Sequence, residues 1–235
     1  MTNSGVSPEV GTLGPETAFS IFGPATVDEW KLANLHVGIA HDGKSAWASY
    51  DVNVVVLGPD ASSAKESARG SELLAKSGAH WQIIGAAWSR GLANDVANRD
   101  AKANKLGKLD GVADKDTGDQ ALLDAFKAVL ASGLDSEAGK RAELFAIGSA
   151  PGELTTSGKV LAGGFKAGWV GHVTVDGPVL ATMAPSGTTG AVFANVQLEK
   201  GSGKTAYKIP FRLFVVFDKL VTGWSVVHVH FAVPG

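Results

Sequence analysis

The stretch GWSVVHVHFAVPG, residues 223–235, decides how the second half of this chain is read, because a run that could have been wholly apolar carries His228 and His230 two residues apart. Side chains alternate along a strand, so the spacing puts both histidines on one face with Trp224 and Val226, and Val227, Val229 and Phe231 on the other. Both faces then read as covered.

Working outward, a second copy of the pattern stands in the first half. AHWQIIGAAWSR and TGWSVVHVHFAVP each place a Trp after a turn and continue through apolar residues, so Trp81 matches Trp224. Upstream, RGSELLAK and RLFVVFDK align without a gap, pairing Arg69 with Arg212 and Lys76 with Lys219. LHVGIAHDGKSAWASYDVNV and VLATMAPSGTTGAVFANVQL each read as strand, turn and strand, with Gly43 or Gly187 in the turn. Between the copies, LANDVANRDAKANKLGKLDGVADKDTGD is polar and poor in large apolar residues, which reads as a linker. Asp119 then caps DQALLDAFKAVLASG, where Leu122, Leu123, Phe126, Val129 and Leu130 recur at helical spacing. A short helix follows in DSEAGKRAELF. Helices first and an antiparallel sheet after them make the class α+β.

The second half, from that helix through APGE and GAVFANVQL to the closing Trp, apolar pair and His-x-His, resembles a SnoaL-like domain of the nuclear-transport-factor-2-like superfamily, which includes ketosteroid isomerase and the polyketide cyclases. The first half is similar to the same family in GKSAWASYDV and RGSELLAKSGAHWQIIGAAWS. The resemblance implies two cone-shaped domains, each a strongly bent antiparallel sheet packed on helices, paired within one chain as a pseudo-dimer. Residues 1–92 are the first copy, 93–117 the linker and 118–235 the second, complete copy. Residues 1–25 show nothing like the helical pattern at 119–132, so the first copy is read as lacking its helices. Either the sequence starts inside a domain, or an element of the second copy, the linker or another chain covers that sheet.

In this arrangement the pairing face is the apolar one with Val227, Val229, Phe231 and Val233. The pocket face of the second cone carries Trp224, His228, His230, Phe214 and Arg212, with Asn195 on the neighbouring strand. A hairpin closed at DKLVTGW sets Arg212 opposite His230. The histidines suit proton transfer near neutral pH, with Arg212 holding an anionic group; the alternative is that they hydrogen-bond within the core. In the first copy both histidines are missing and the arginine stays, as Arg69. Asp51, on the face of Trp47, Ser49 and Asn53, reads either as a base lining a second pocket or as a carboxylate bonded at the interface between copies. An isomerase needs a carboxylate in an apolar pocket and acidic donors facing it, and the second copy has no Asp or Glu in the middle of an apolar strand.

Composition bounds the partners. At 235 residues and 45% hydrophobic content the chain buries a sizeable core, and a net charge of -2 with no basic run excludes nucleic acid and an anionic membrane. Without cysteine there is no disulfide or thiolate chemistry. MTNSGVSPEVGTLG carries no signal peptide pattern, which makes the chain soluble and cytoplasmic by default. GSGKT at 201–205 lacks the first glycine of a phosphate loop and joins two strands; DKDTGD at 114–119 lacks the ligands of a calcium loop. Two histidines at i and i+2 on a strand can share a metal, but no third ligand is indicated unless His172 or a carboxylate folds nearby, so no metal is expected. The expectation is therefore a binder of a small apolar or weakly acidic ligand, with no cofactor and no metal and with further oligomerisation open. The alternatives are an isomerase or cyclase using His228 or His230 as base, and a structural or partner-binding module.

Overall fold

The computed structural model describes residues 6–7, 26–93, 95–97, 99, 115–140, 143–166, 172–200 and 207–232. The first sheet is built from β1 (Val6–Ser7), β2 (Thr26–Ile39), β3 (Ser45–Leu57), β4 (Ser63–Ser77) and β5 (His80–Arg90), in the order β1-β5-β4-β3-β2. After it come α1 (Gln120–Ser132), α2 (Leu134–Gly139), β6 (Glu143–Ile147), β7 (Leu154–Ser157), α3 (Gly158–Lys166), β8 (His172–Met183), β9 (Thr189–Lys200), β10 (Tyr207–Leu220) and β11 (Gly223–Ala232). The second sheet runs β7-β6-β11-β10-β9-β8. The chain is α+β and mostly strand; α3 was not anticipated, and ELF of the expected second helix belongs to β6. The GSGKT segment, most of the polar linker and Val233 lie outside the described residues. Among the described residues no helix is long and apolar enough to cross a membrane.

α1 forms where its pattern places it. Asp119 accepts the Leu122 N–H at 3.0 Å, and Gly133 ends the helix at φ 90°. Its buried stripe, Leu122, Leu123, Phe126 and Val129, packs into one core with Val192, Ala194, Leu213, Val215, Phe217, Val229 and Phe231. This core lies between α1 and the second sheet, on the side where the sequence reading placed the pocket.

The two sheets share a register. Arg69 pairs with Asp51 and Ser89, as Arg212 pairs with Asn195 and Ala232. The β4/β5 hairpin shifts register between Leu73 and Leu74, and the β10/β11 hairpin at the matching Val216/Phe217 step. The turns into β3 and β9 match as well: Gly43 donates to Ala40 and Gly187 to Ala184, both at 2.9 Å, with φ of 66° and 71° that favour glycine.

That register shift in β11 corrects the reading of the opening stretch. Val216 faces His228 and Phe217 faces Val226, so Val227 is an extra residue and alternation restarts one position late. Trp224, Val226, Val229 and Phe231 therefore share the helix-covered core, while Val227 joins Phe193, Phe214 and Val216 in a core with Trp47, Leu73 and Ala87 of the first sheet. The histidines point toward the other sheet and away from the helix-covered core, and Arg212 stands opposite Ala232, with Phe214 opposite His230.

Candidate functional site

Of the residues singled out from the sequence, His228, His230, Phe214, Arg212, Asn195, Trp47, Asp51 and Arg69 come together on the facing sides of the two sheets. Trp224 does not: it lies half-buried on the opposite face of β11, with the Lys219 ammonium 5.5 Å from its ring centre. Both histidines are fully buried. His228 Nε2 shares a 2.8 Å hydrogen bond with Ser71 Oγ, and His230 Nε2 a 3.1 Å bond with Ser89 Oγ, so each imidazole is tied to the first sheet. Phe214 packs on Phe193 at 4.9 Å between ring centres and on His228 at 6.0 Å. Phe193 in turn fills the space above Gly85, where a β-carbon would lie 3.1 Å from its ring.

Burial depresses both imidazoles. It drives His228 down to about 3 against the opposing influence of the Phe145 backbone carbonyl, and holds His230 well below its ordinary value, aided by the charge of Arg69 and by His228. Both imidazoles are thus held toward the neutral form and closed off from water.

Asp51 and Arg69 form a clasp at one end of this layer. Arg69 Nε donates to Asp51 Oδ1 at 2.7 Å, while its two terminal nitrogens donate to the carbonyls of Gly148 at 2.6 Å and Glu153 at 2.8 Å. Asp51 Oδ2 accepts from Asn34 Nδ2 at 2.7 Å and from Gly152 N at 2.9 Å. Burial pushes the Asp51 carboxyl up, but the bonds from Asn34 and Arg69, the Arg69 charge and the Gly152 N–H outweigh it and hold it below the usual carboxylate range. Every one of these bonds is local to the protein, and the partners bind the β6–β7 loop to the first sheet. At the other end His41 shares a 2.9 Å bond with Asp218, and Thr188 donates to Asp42.

Sequence reasoning passed over a third polar group. On the outer face of the first sheet, Tyr50 Oη donates to Glu72 Oε1 at 2.5 Å, and the Tyr50 ring meets Trp88 edge-on at 5.3 Å. Tyr50, Gly70 and Trp88 are one cross-strand row, and Ala48, Glu72 and Ala86 the next. Gly70 makes the arrangement possible, since a β-carbon there would lie 2.7 Å from the Tyr50 ring. Burial raises the Glu72 carboxyl above its ordinary value in spite of the Tyr50 bond, and burial with the Glu72 charge raises Tyr50. The available signal was the alignment of copies: Tyr50 falls opposite Ala194 and Glu72 opposite Val215.

A separate open groove of about 580 Å³ lies beyond the clasp, bounded by Trp30, Lys31, Asn53, Lys65 and Pro151. None of the residues singled out from the sequence lines it. Among the described residues no group of three metal-binding side chains comes together.

No protein-family model matches the sequence, and neither does any curated protein. Two solved structures are similar to this chain at low identity. One is a candidate ketosteroid isomerase from Shewanella frigidimarina NCIMB 400, at 14% identity and a TM-score of 0.35, over 47% of this chain and 91% of that one. The other is described as an NTF2-like protein involved in plasmid conjugation, at 10% identity and a TM-score of 0.25, over 90% of this chain and 79% of that one.

Proposed function

We propose that the chain is a duplicated nuclear-transport-factor-2-like pair, residues 1–92 and 118–235 joined by 93–117, whose sheets pack as an intrachain pseudo-dimer and whose first cone binds a small, largely apolar ligand. The common register, the matching turns and the matching register shift of the hairpins support a duplication. The observation that carries the ligand site is the comparison of the two cone-facing surfaces at equal positions. Where the second sheet has Val192, Val215 and Val229, the first has Ala48, Glu72 and Ala86; where it has Leu213 and Phe211, the first has Gly70 and Ala68. The second surface is hydrocarbon sized to meet a helix, and the first is smaller and carries a hydrogen-bonded acid. Small residues leave volume, and a polar pair inside an apolar wall gives a ligand its orientation.

His228 and His230 take a structural part in this reading, as buttons between the sheets. The isomerase alternative built on them is the weaker reading, because both rings are fully buried and each is bonded to a serine of the first sheet.

The test is a thermal-shift screen of apolar ketones, carboxylic acids and steroid-like compounds on the parent and on an Ala48→Leu/Ala86→Leu variant that gives the first cone the bulk of the second. Compounds that raise the parent's Tm are expected to lose their effect in the filled variant. Shifts of equal size in both would place the ligand elsewhere and end the proposal.

A further inference from the structure

Among the described residues Glu72 has no ion-pair partner. Among the described residues its hydrogen bond is to the neutral Tyr50 hydroxyl, and no Lys, Arg or His stands within ion-pair distance of it. The charged groups that share its face of the sheet are few. β3 presents Ala46, Ala48, Tyr50, Val52 and Val54 there; β4 adds Glu66 and the exposed Lys76; β5 adds Arg90, which is taken by Glu66 at 3.0 Å. β2 contributes Trp30, Leu32, Val37 and Ile39 to the same face. The half-buried carboxyl is therefore held in place by Tyr50, whose ring meets Trp88 edge-on, and its cross-strand neighbours on this face are Ala48 and Ala86. The matching positions of the second sheet, Ala194, Val215 and Phe231, need no polar group to fold, so packing alone does not call for an acid here.

A half-buried carboxyl with two aromatic rings on the same sheet face is complementary to one class of ligand above others. An organic cation brings the missing counter-charge to the acid, and its ammonium is attracted by the negative faces of the rings. A neutral or anionic ligand of the same shape brings neither. We infer that the first cone takes a small apolar amine, with Glu72 as its counter-charge, Tyr50 as the residue that orients the carboxylate and Trp88 as an aromatic wall. The inference rests on the first-cone reading above and gives its ligand a chemical class.

The experiment is calorimetric titration of the full chain with 2-phenylethylamine and with 2-phenylethanol, which share ring and chain length and differ in charge at pH 7. The amine is expected to bind at least tenfold more tightly. In Glu72→Gln that preference disappears while the alcohol binds as before, and in Tyr50→Phe the preference persists. Acidifying the parent through the range in which Glu72 takes up its proton weakens the amine and leaves the alcohol unchanged, a readout that does not depend on any variant folding. Equal affinities for the two probes, a preference that survives Glu72→Gln, or an amine affinity flat with pH overturns the amine assignment and leaves the first cone as the ligand site. Binding of neither probe removes the cone reading together with it.

Discussion

In the second sheet the row Ala194, Leu213 and Phe231 belongs to one core with Phe126 of α1; in the first sheet the same row reads Tyr50, Gly70 and Trp88 and carries a phenol bonded to an acid. One strand frame thus supports two fillings. The facing surfaces differ in the same way: the first gives two serines and a Gly85, and the second gives two histidines and a Phe193 that fit them. Complementarity between the sheets replaces identity, and this teaches that one strand frame can be fitted to its neighbour on one face while its other face varies.

The sharpest way to break the contrast is to exchange its members. Val215→Glu places an acid in the filled cone with no tyrosine beside it, and burial on that scale costs about 4–6 kcal/mol of unfolding stability at neutral pH. The reverse change, Glu72→Val, is expected to leave stability within about 1 kcal/mol or raise it, as chemical unfolding would report. A large loss in Glu72→Val would make the acid structural.

The clasp comes next in size. Arg69→Met strands Asp51 and two loop carbonyls, which lowers unfolding stability by about 3–5 kcal/mol. Asp51→Asn copies the Asn195–Arg212 pair of the other sheet, and the smaller loss expected of it would sharpen the equivalence of the two positions.

Acid separates the layers further. His228 stays neutral in the folded protein and takes a proton at about 6.5 when unfolded, so its contribution is complete above that pH and drains away as pH falls toward about 3. At pH 5 the loss is about 2 kcal/mol. His228→Gln should flatten the pH dependence of the unfolding midpoint between 6.5 and 4; an unchanged slope contradicts a buried neutral ring. The smallest effect is Gly85→Ala, whose methyl group meets Phe193 at 3.1 Å and should cost about 1 kcal/mol of stability.

What was legible in the sequence was local. Asp119, the apolar stripe after it and Gly133 specify α1 within fifteen residues or so, and the turns at Gly43 and Gly187 are specified by a residue that tolerates positive φ. The direction of the histidines was not legible, because the single extra residue at Val227 inverts every later side chain of β11 and leaves no mark in composition. Two of the three partners of Arg69 named above are the backbone carbonyls of Gly148 and Glu153, and a carbonyl has no sequence signature. Tyr50 and Glu72 meet diagonally across two strands beside a glycine, which becomes visible only once the register of β3 and β4 is known. Aligning the copies marks both as polar where the sister sheet is apolar.

The most direct test of the contrast between the cones is the indole N–H spectrum of the protein during titration with 2-phenylethylamine. Trp88 stands in the polar row of the first cone and Trp224 beside the filled core of the second. The Trp88 signal is expected to move with the titration while Trp224 stays fixed. Movement of Trp224 with Trp88 unchanged would put the ligand in the second cone and contradict the account.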